Sequence, residues 1–325
     1  MIFINMSIRN LIKNVLHEEV KQKKLKLFAL DWDDNILRMP TKLYVKTDDG
    51  DSVGMSTEDF AIYREKIGKE PFEFEGKTIV GLDSDAFRDF TRSESFLIDT
   101  EKAIRKNRKS PSFVSFKKAL IKASPFSIIT ARGHDPEIIK QGVKVFIDLV
   151  LSPEDKERMI NNIKNVLKFE NREKFYKVDQ SSDEQLLDIY LDYKGRYYPV
   201  SSKEFGRQFK LDSAKGASSP EQSKKIALSD FLEQVYDEVG DLIKSGKYGP
   251  ISLGFSDDDP GNVRSMVNHI QDELSMMYPE IKFIVKDTSE GGMKKIIIKR
   301  ERELNKDLNE NYIINKIKKE LYKLK

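Results

Sequence analysis

The chain has 325 residues, 38% hydrophobic and 34% charged, and its 57 lysines and arginines nearly cancel 54 aspartates and glutamates, leaving a formal charge of +3. So small a net charge gives no global field toward nucleic acid or lipid, although local basic patches stay open. There is no cysteine, which removes disulfides, thiol nucleophiles and thiolate zinc sites together; the three scattered histidines argue against a histidine-rich metal centre.

No run reaches the ~20 apolar residues needed to cross a bilayer. The N-terminal MIFINMSIRNLIKNVLHEEV lacks the basic, apolar and small order of a signal peptide. Ile8, Leu11, Ile12, Val15 and Leu16 recur at helical spacing and predict an amphipathic helix docked on a core. A helix lying on a membrane surface is the alternative, and Glu18 and Glu19 weigh against it. The expected location is the cytoplasm.

The first strand is expected over residues 25–31, within KLFALDWDDNILRM. It delivers Asp31, Asp33 and Asp34 to one end, a costly cluster unless a cation, a proton or a reaction uses it. Residues 38–110 read as an insertion. They hold a hairpin-like LYVKTDDGDSVGM, a short helix after Ser56 and Thr57, and the basic run KAIRKNRKS. A charge run of that kind is ordinarily a solvated face. A buried strand, Phe126 to Thr130, follows. Asp135 then caps a helix that has Pro136 at its first position and Ile138, Ile139, Val143, Phe146 and Ile147 on its apolar face.

Residues 152–218 read as a second insertion, in which IYLDYKGRYYPV suggests two strands about a Lys194–Gly195 turn. SSPEQSKKIALSDFLEQVYDEVGDLIKSGKYG is a long amphipathic helix, with Ser219 and Gln222 at capping-box spacing and Gly246 as its stop. Ile251 to Phe255 is the next strand, with Asp259 capping the helix that begins at Pro260. KFIVKDTSEGGMKKIIIKR suggests two strands about Gly291–Gly292, and residues 301–325 suggest a lysine-rich amphipathic helix.

Strands alternating with helices predict an α/β fold with a Rossmann-like, doubly wound, mainly parallel sheet and cap insertions. The expected core comprises 1–37, 111–151 and 219–300. Asp31, Thr130 and Asp257 then fall at the carboxyl ends of strands, where such sheets bind ligands.

Four pieces resemble the haloacid dehalogenase (HAD) superfamily. LFALDWDDNIL is similar to its first motif, SIITARG to its second, Lys224 in the first turn of a capped helix to its third, and ISLGFSDDD to its fourth. Asn35 departs from the threonine or valine usual there, and the long gap between the second motif and Lys224 exceeds a minimal core.

The resemblance implies a Mg²⁺-dependent phosphohydrolase forming an aspartyl-phosphate. Asp31 would be the nucleophile and Asp33 the general acid and then base. Thr130 and Lys224 would complete the catalytic set, with Trp32, Thr130, Ala131, Arg132 and Lys224 around the phosphate. Asp31, Asp33 (through its carbonyl), Asp257 and Asp258 would hold the metal, Asp257 being the better of the acidic pair.

Lys215 and Lys225 remain alternatives to Lys224. Asp34 reads as a surface or capping residue and Trp32 as a packing side chain, while Arg132 and His134 suit salt bridging or loop exposure as well as substrate. The expected substrate is a phosphorylated small molecule or nucleotide. The alternatives are a non-catalytic binding or assembly module on the same fold and a nucleic-acid end phosphatase.

Overall fold

The computed structural model describes residues 22–211 and 219–298. The helices expected near residues 8–16 and 301–325, and Lys215, lie outside the described residues.

The chain is a mixed α/β protein built on a six-stranded, mainly parallel sheet. Its central strand is β1 (Lys23–Leu30). The alternation of KKLKLFAL turns Leu25, Leu27 and Ala29 to one face and Leu30, with Phe28 packed beside it, to the other. Parallel β6 (Phe126–Thr130) flanks it on one side and β8 (Tyr248–Asp257) on the other. Outward lie β7 (Gly195–Pro199) beyond β6 and β9 (Ile281–Asp287) beyond β8, both parallel. The antiparallel hairpin partner of β9, β10 (Lys294–Ile297), closes that edge. All five residues of β6 are buried, as expected of a parallel strand covered on both faces.

Helices pack on both faces. One layer contains α2 (Ser93–Arg105), α3 (Phe113–Ile121), α4 (Pro136–Val150), α5 (Pro153–Phe169) and α6 (Asp183–Tyr193). Their apolar stripes join Leu30, Phe126 and Ile128 in one cluster. The opposite layer contains α7 (Lys203–Gln208), α8 (Pro220–Lys244) and α9 (Pro260–His269), packed on Leu27, Ile129, Leu253 and Phe255.

A second, four-stranded antiparallel sheet is inserted between β1 and β6, in the order β3–β2–β5–β4. Its strands are β2 (Lys42–Thr47), β3 (Ser52–Ser56), β4 (Phe72–Phe74) and β5 (Lys77–Leu82). With α1 (Thr57–Tyr63), capped by Ser56, it surrounds a small core of Leu43, Val45, Met55, Phe72, Phe74 and Ile79.

Two expectations change. IYLDYKGRYYPV is not a pair of strands: its first half ends α6, where a Ser182–Gln185 capping box starts a helix burying Leu186, Tyr190, Leu191 and Tyr193 at helical spacing. Only Gly195 onward is extended, and it pairs with β6 in the main sheet. Residues 152–211 supply α5, α6, an edge strand of the main sheet and α7. The end of the first insertion also rejoins the main body, because Phe96 and Ala103 of α2 lie in the main-sheet cluster.

Candidate active site

The carboxyl ends of β1, β6 and β8 converge on one acidic site. Asp31 follows β1 directly, is 5% exposed, and its N–H donates to the Ser256 carbonyl at 3.0 Å. Asp257, fully buried, ends β8. Carboxylate oxygens of Asp31, Asp257 and Asp258 lie within 4.8 Å of one another.

Lys224 enters from the first turn of α8. Ser219 caps that helix by accepting from the Gln222 N–H, and Pro220 opens it, so Lys224 is set one turn in, facing the sheet. It is 2% exposed, and its Nζ donates to Asp257 Oδ2 at 2.7 Å and to Asp31 Oδ1 at 3.2 Å. Lys225, the next residue, is only half-buried.

Burial sets the electrostatics. It raises the Asp31 carboxyl well above the ordinary carboxylate range; Lys224 pulls it back only in part, and Asp257 and Asp33 push it further up. Burial, then the charges of Asp31 and Asp257, push the Asp258 carboxyl up to about 9. For Lys224, burial opposes the charge, but Asp257 and Asp31 outweigh it and raise the ammonium above its ordinary value.

With Asp31, Asp257 and Asp258 all ionised, three carboxylates against the Lys224 ammonium would leave two negative charges in excess, the charge of one divalent cation; without a cation, Asp258 holds a proton instead. A set of hard oxygen donors without sulfur or imidazole suits Mg²⁺ in kind as well as charge. Asp257 is further held by Asn262 Nδ2 and by the Asp259 N–H, each donating to Oδ1 at 3.0 Å. Asp259 itself faces away as the α9 cap, accepting from the N–H groups of Gly261 and Asn262.

Asp33 stands beside this cluster, on the β6 side. Arg132 grips it with a guanidinium fork, Nη2 to Oδ1 at 2.6 Å and Nε to Oδ2 at 2.8 Å. Thr130 Oγ1, 1% exposed, faces Asp33 Oδ2 at 3.4 Å. Arg132 is 1% exposed and also donates to Thr41 Oγ1 at 2.7 Å, and Thr41 in turn donates to Asp99 at 3.0 Å. Phe90 and Phe96 lie against its guanidinium. Its Nε and Nη2 are thus engaged by Asp33, while Nη1 is buried without a hydrogen-bond partner.

Trp32 is buried against Phe96 and Phe116, as a packing side chain. Asp34 adopts a left-handed conformation, φ 50°, and accepts from Thr57 at the start of α1. His134 is buried and its Nε2 lies 3.0 Å from the Arg92 carbonyl; burial, then the Arg132 charge, lowers it to about 4. Ala131 follows Thr130 on the same strand end and is exposed. In the basic run, Lys102 and Arg105 pair with Asp99 and Glu101 on their own helix.

Sequence reasoning missed Asn262, Thr288, Thr41 and Asp99. Thr288 was legible only as a hydroxyl just past a strand end, and Thr41 and Asp99 come together over 58 residues with no local pattern to mark them.

Compared with known family models, curated proteins and solved structures, the chain matches none. Among the described residues, no helix is long and apolar enough to cross a membrane.

Proposed function

We propose that the chain is a Mg²⁺-dependent phosphohydrolase acting on phosphomonoesters through Asp31, on a doubly wound, HAD-like core. One observation carries the reading: a cluster of buried Asp31 and Asp257 with half-buried Asp258, met by Lys224, at the carboxyl ends of adjacent parallel strands.

In this reading the Asp31 carboxylate attacks phosphorus as the bond to the leaving oxygen breaks, giving an aspartyl-phosphate and an alcohol whose proton comes from Asp33. Water, deprotonated by Asp33, then attacks the same phosphorus, frees inorganic phosphate and restores Asp31. Both Asp33 oxygens are engaged by Arg132, and Thr130 faces one of them, so proton transfer requires Asp33 to give up one of these contacts. Thr130 Oγ1 is then free to donate to a phosphate oxygen. Lys224 offsets part of the burial that disfavours the Asp31 carboxylate, and it offsets phosphoryl charge. Asp31, Asp257, Asp258 and the Asp33 carbonyl would hold Mg²⁺, which would supply the remaining charge neutralisation.

The pairing of Lys102 and Arg105 within α2 gives no support to a polyanionic substrate. A phosphorylated small molecule or nucleotide is the substrate class proposed. The test is hydrolysis of an aryl phosphate and a panel of phosphometabolites, with and without Mg²⁺, by wild type and Asp31→Asn. Metal-dependent turnover lost in Asp31→Asn supports the reading; turnover that survives the substitution rejects it.

A further inference from the structure

Beneath the carboxylates lies a knot of four buried polar side chains that the reaction steps above do not use: Asn35, Ser112, Ser256 and Thr288. The first three have no exposed surface and Thr288 is 2% exposed. Ser256 Oγ donates to Asn35 Oδ1 at 2.9 Å, and Asn35 Nδ2 donates to Thr288 Oγ1 at 3.2 Å. Thr288 Oγ1 donates to the Asp257 carbonyl at 3.0 Å. Because the Ser256 proton is used on Asn35, the 2.9 Å contact between Ser112 and Ser256 runs from Ser112.

The chain of donors thus points one way, from Ser112 through Ser256, Asn35 and Thr288 to Asp257. Bonds aligned in this sense polarise and strengthen one another in a low-dielectric interior. It reaches both metal-facing strands. Thr288 holds the Asp257 carbonyl with its N–H as well, at 3.0 Å, and the Ser256 carbonyl accepts the Asp31 N–H at 3.0 Å. The Asn35 carbonyl accepts the Ser112 N–H at 2.9 Å.

We propose that Asn35 and Thr288 are positioning residues that fix the spacing of the Asp31 and Asp257 carboxylates and so set the affinity for a divalent cation. The inference rests on the reading of Asp31, Asp257 and Asp258 as Mg²⁺ ligands. Mg²⁺ is small and demands near-ideal geometry, so two carboxylates on separate strands bind it well only if their backbones are locked together. The lock also accounts for asparagine at this position. A carboxamide accepts at one end and donates at the other, joining β8 to the turn after β9; valine could do neither, and the short side chain of threonine spans less.

The test is Mg²⁺ binding by the full chain, measured by calorimetry and by fluorescence of Trp32, the single tryptophan and the neighbour of Asp31. Thr288→Val removes the hydroxyl at nearly constant shape, Thr288→Ser keeps it, and Asn35→Ala cuts the chain at its centre. Thr288→Val and Asn35→Ala are expected to weaken binding about 10–100-fold, the usual cost of losing a residue that orients a metal ligand, with Thr288→Ser close to wild type. A Thr288→Val protein that melts lower but binds Mg²⁺ like wild type overturns the inference and leaves the metal site standing. Wild type that binds no Mg²⁺ overturns both. If Asn35→Ala does not fold, the valine and serine variants at Thr288 decide the question.

Discussion

At the scale of single residues, the site is governed by a charge count in a dry place. Lys224 is the cation that makes Asp31 and Asp257 tolerable together, touching both within hydrogen-bond distance. Lys224→Met keeps the bulk but strips that charge, and breaking a buried pair from one side typically costs about 3–5 kcal/mol. Urea unfolding in EDTA should show that loss, and added Mg²⁺ should restore part of it; an unchanged midpoint would contradict the account. Asp258 gives a pH signature. Its folded-state pKa of about 9 lies far above the ~3.9 of an unfolded aspartate. Between those values the folded protein holds a proton that the unfolded chain releases. Stability without Mg²⁺ should therefore fall as pH rises through that window, and Asp258→Asn should flatten the slope. A metal-free wild type that gains stability over pH 5–9 while Asp258→Asn does not would reverse the sign and refute the assignment.

At the scale of elements, precise delivery depends on how helices and strands are started and packed. Ser219 and Pro220 fix where α8 begins, and so fix Lys224 one turn later. The Trp32 side of the site rests on the contact of α2 with α4, where Phe96 lies over Gly142. A Cβ at Gly142 would stand 2.4 Å from a Phe96 ring carbon. Phe96 is itself fully buried against Trp32 and cannot swing clear. Gly142→Ala should destabilise by about 1–3 kcal/mol through overpacking, measured by chemical denaturation, with loss of metal-dependent turnover no greater than the unfolded fraction explains. These elements were largely legible in the sequence. The strand Phe126–Thr130, the caps Ser219 and Asp259, the hairpin after residue 42 and the β9–β10 pair all carry local signals of periodicity, capping or glycine turns. The failure at residues 189–194 has a physical cause: Ile189, Tyr190 and Tyr193, like Tyr197 and Tyr198 of the true strand that follows, suit a strand by propensity. The capping box at Ser182 and burial of a helical face decided otherwise for the first half.

At the scale of the whole molecule, the sheet brings together residues that are distant in sequence. Asp31, Thr130, Lys224 and Asp257 were legible because each sits beside a strand end or helix start. Their partners were not, since Arg132 meeting Asp33 and Thr41, or Asn35 meeting Thr288 across 253 positions, follows from strand order alone. The inserted sheet is tied to the same region: Thr57, at the start of α1, reaches Asp34 after β1, and Arg64, just past its end, pairs with Asp259 after β8 at 3.1 Å. The short helix therefore bridges the loop after β1 and the loop after β8, the two that follow Asp31 and Asp257. The central claim is that Asp31 itself takes the phosphoryl group. The most direct measurement is to quench the protein in acid after mixing with a phosphorylated substrate and Mg²⁺ and map the phosphate by mass spectrometry. The account predicts phosphate on the peptide carrying Asp31 in wild type and none there in Asp31→Asn. Steady turnover with phosphate on another residue, or with Asp31→Asn as active as wild type, would contradict it.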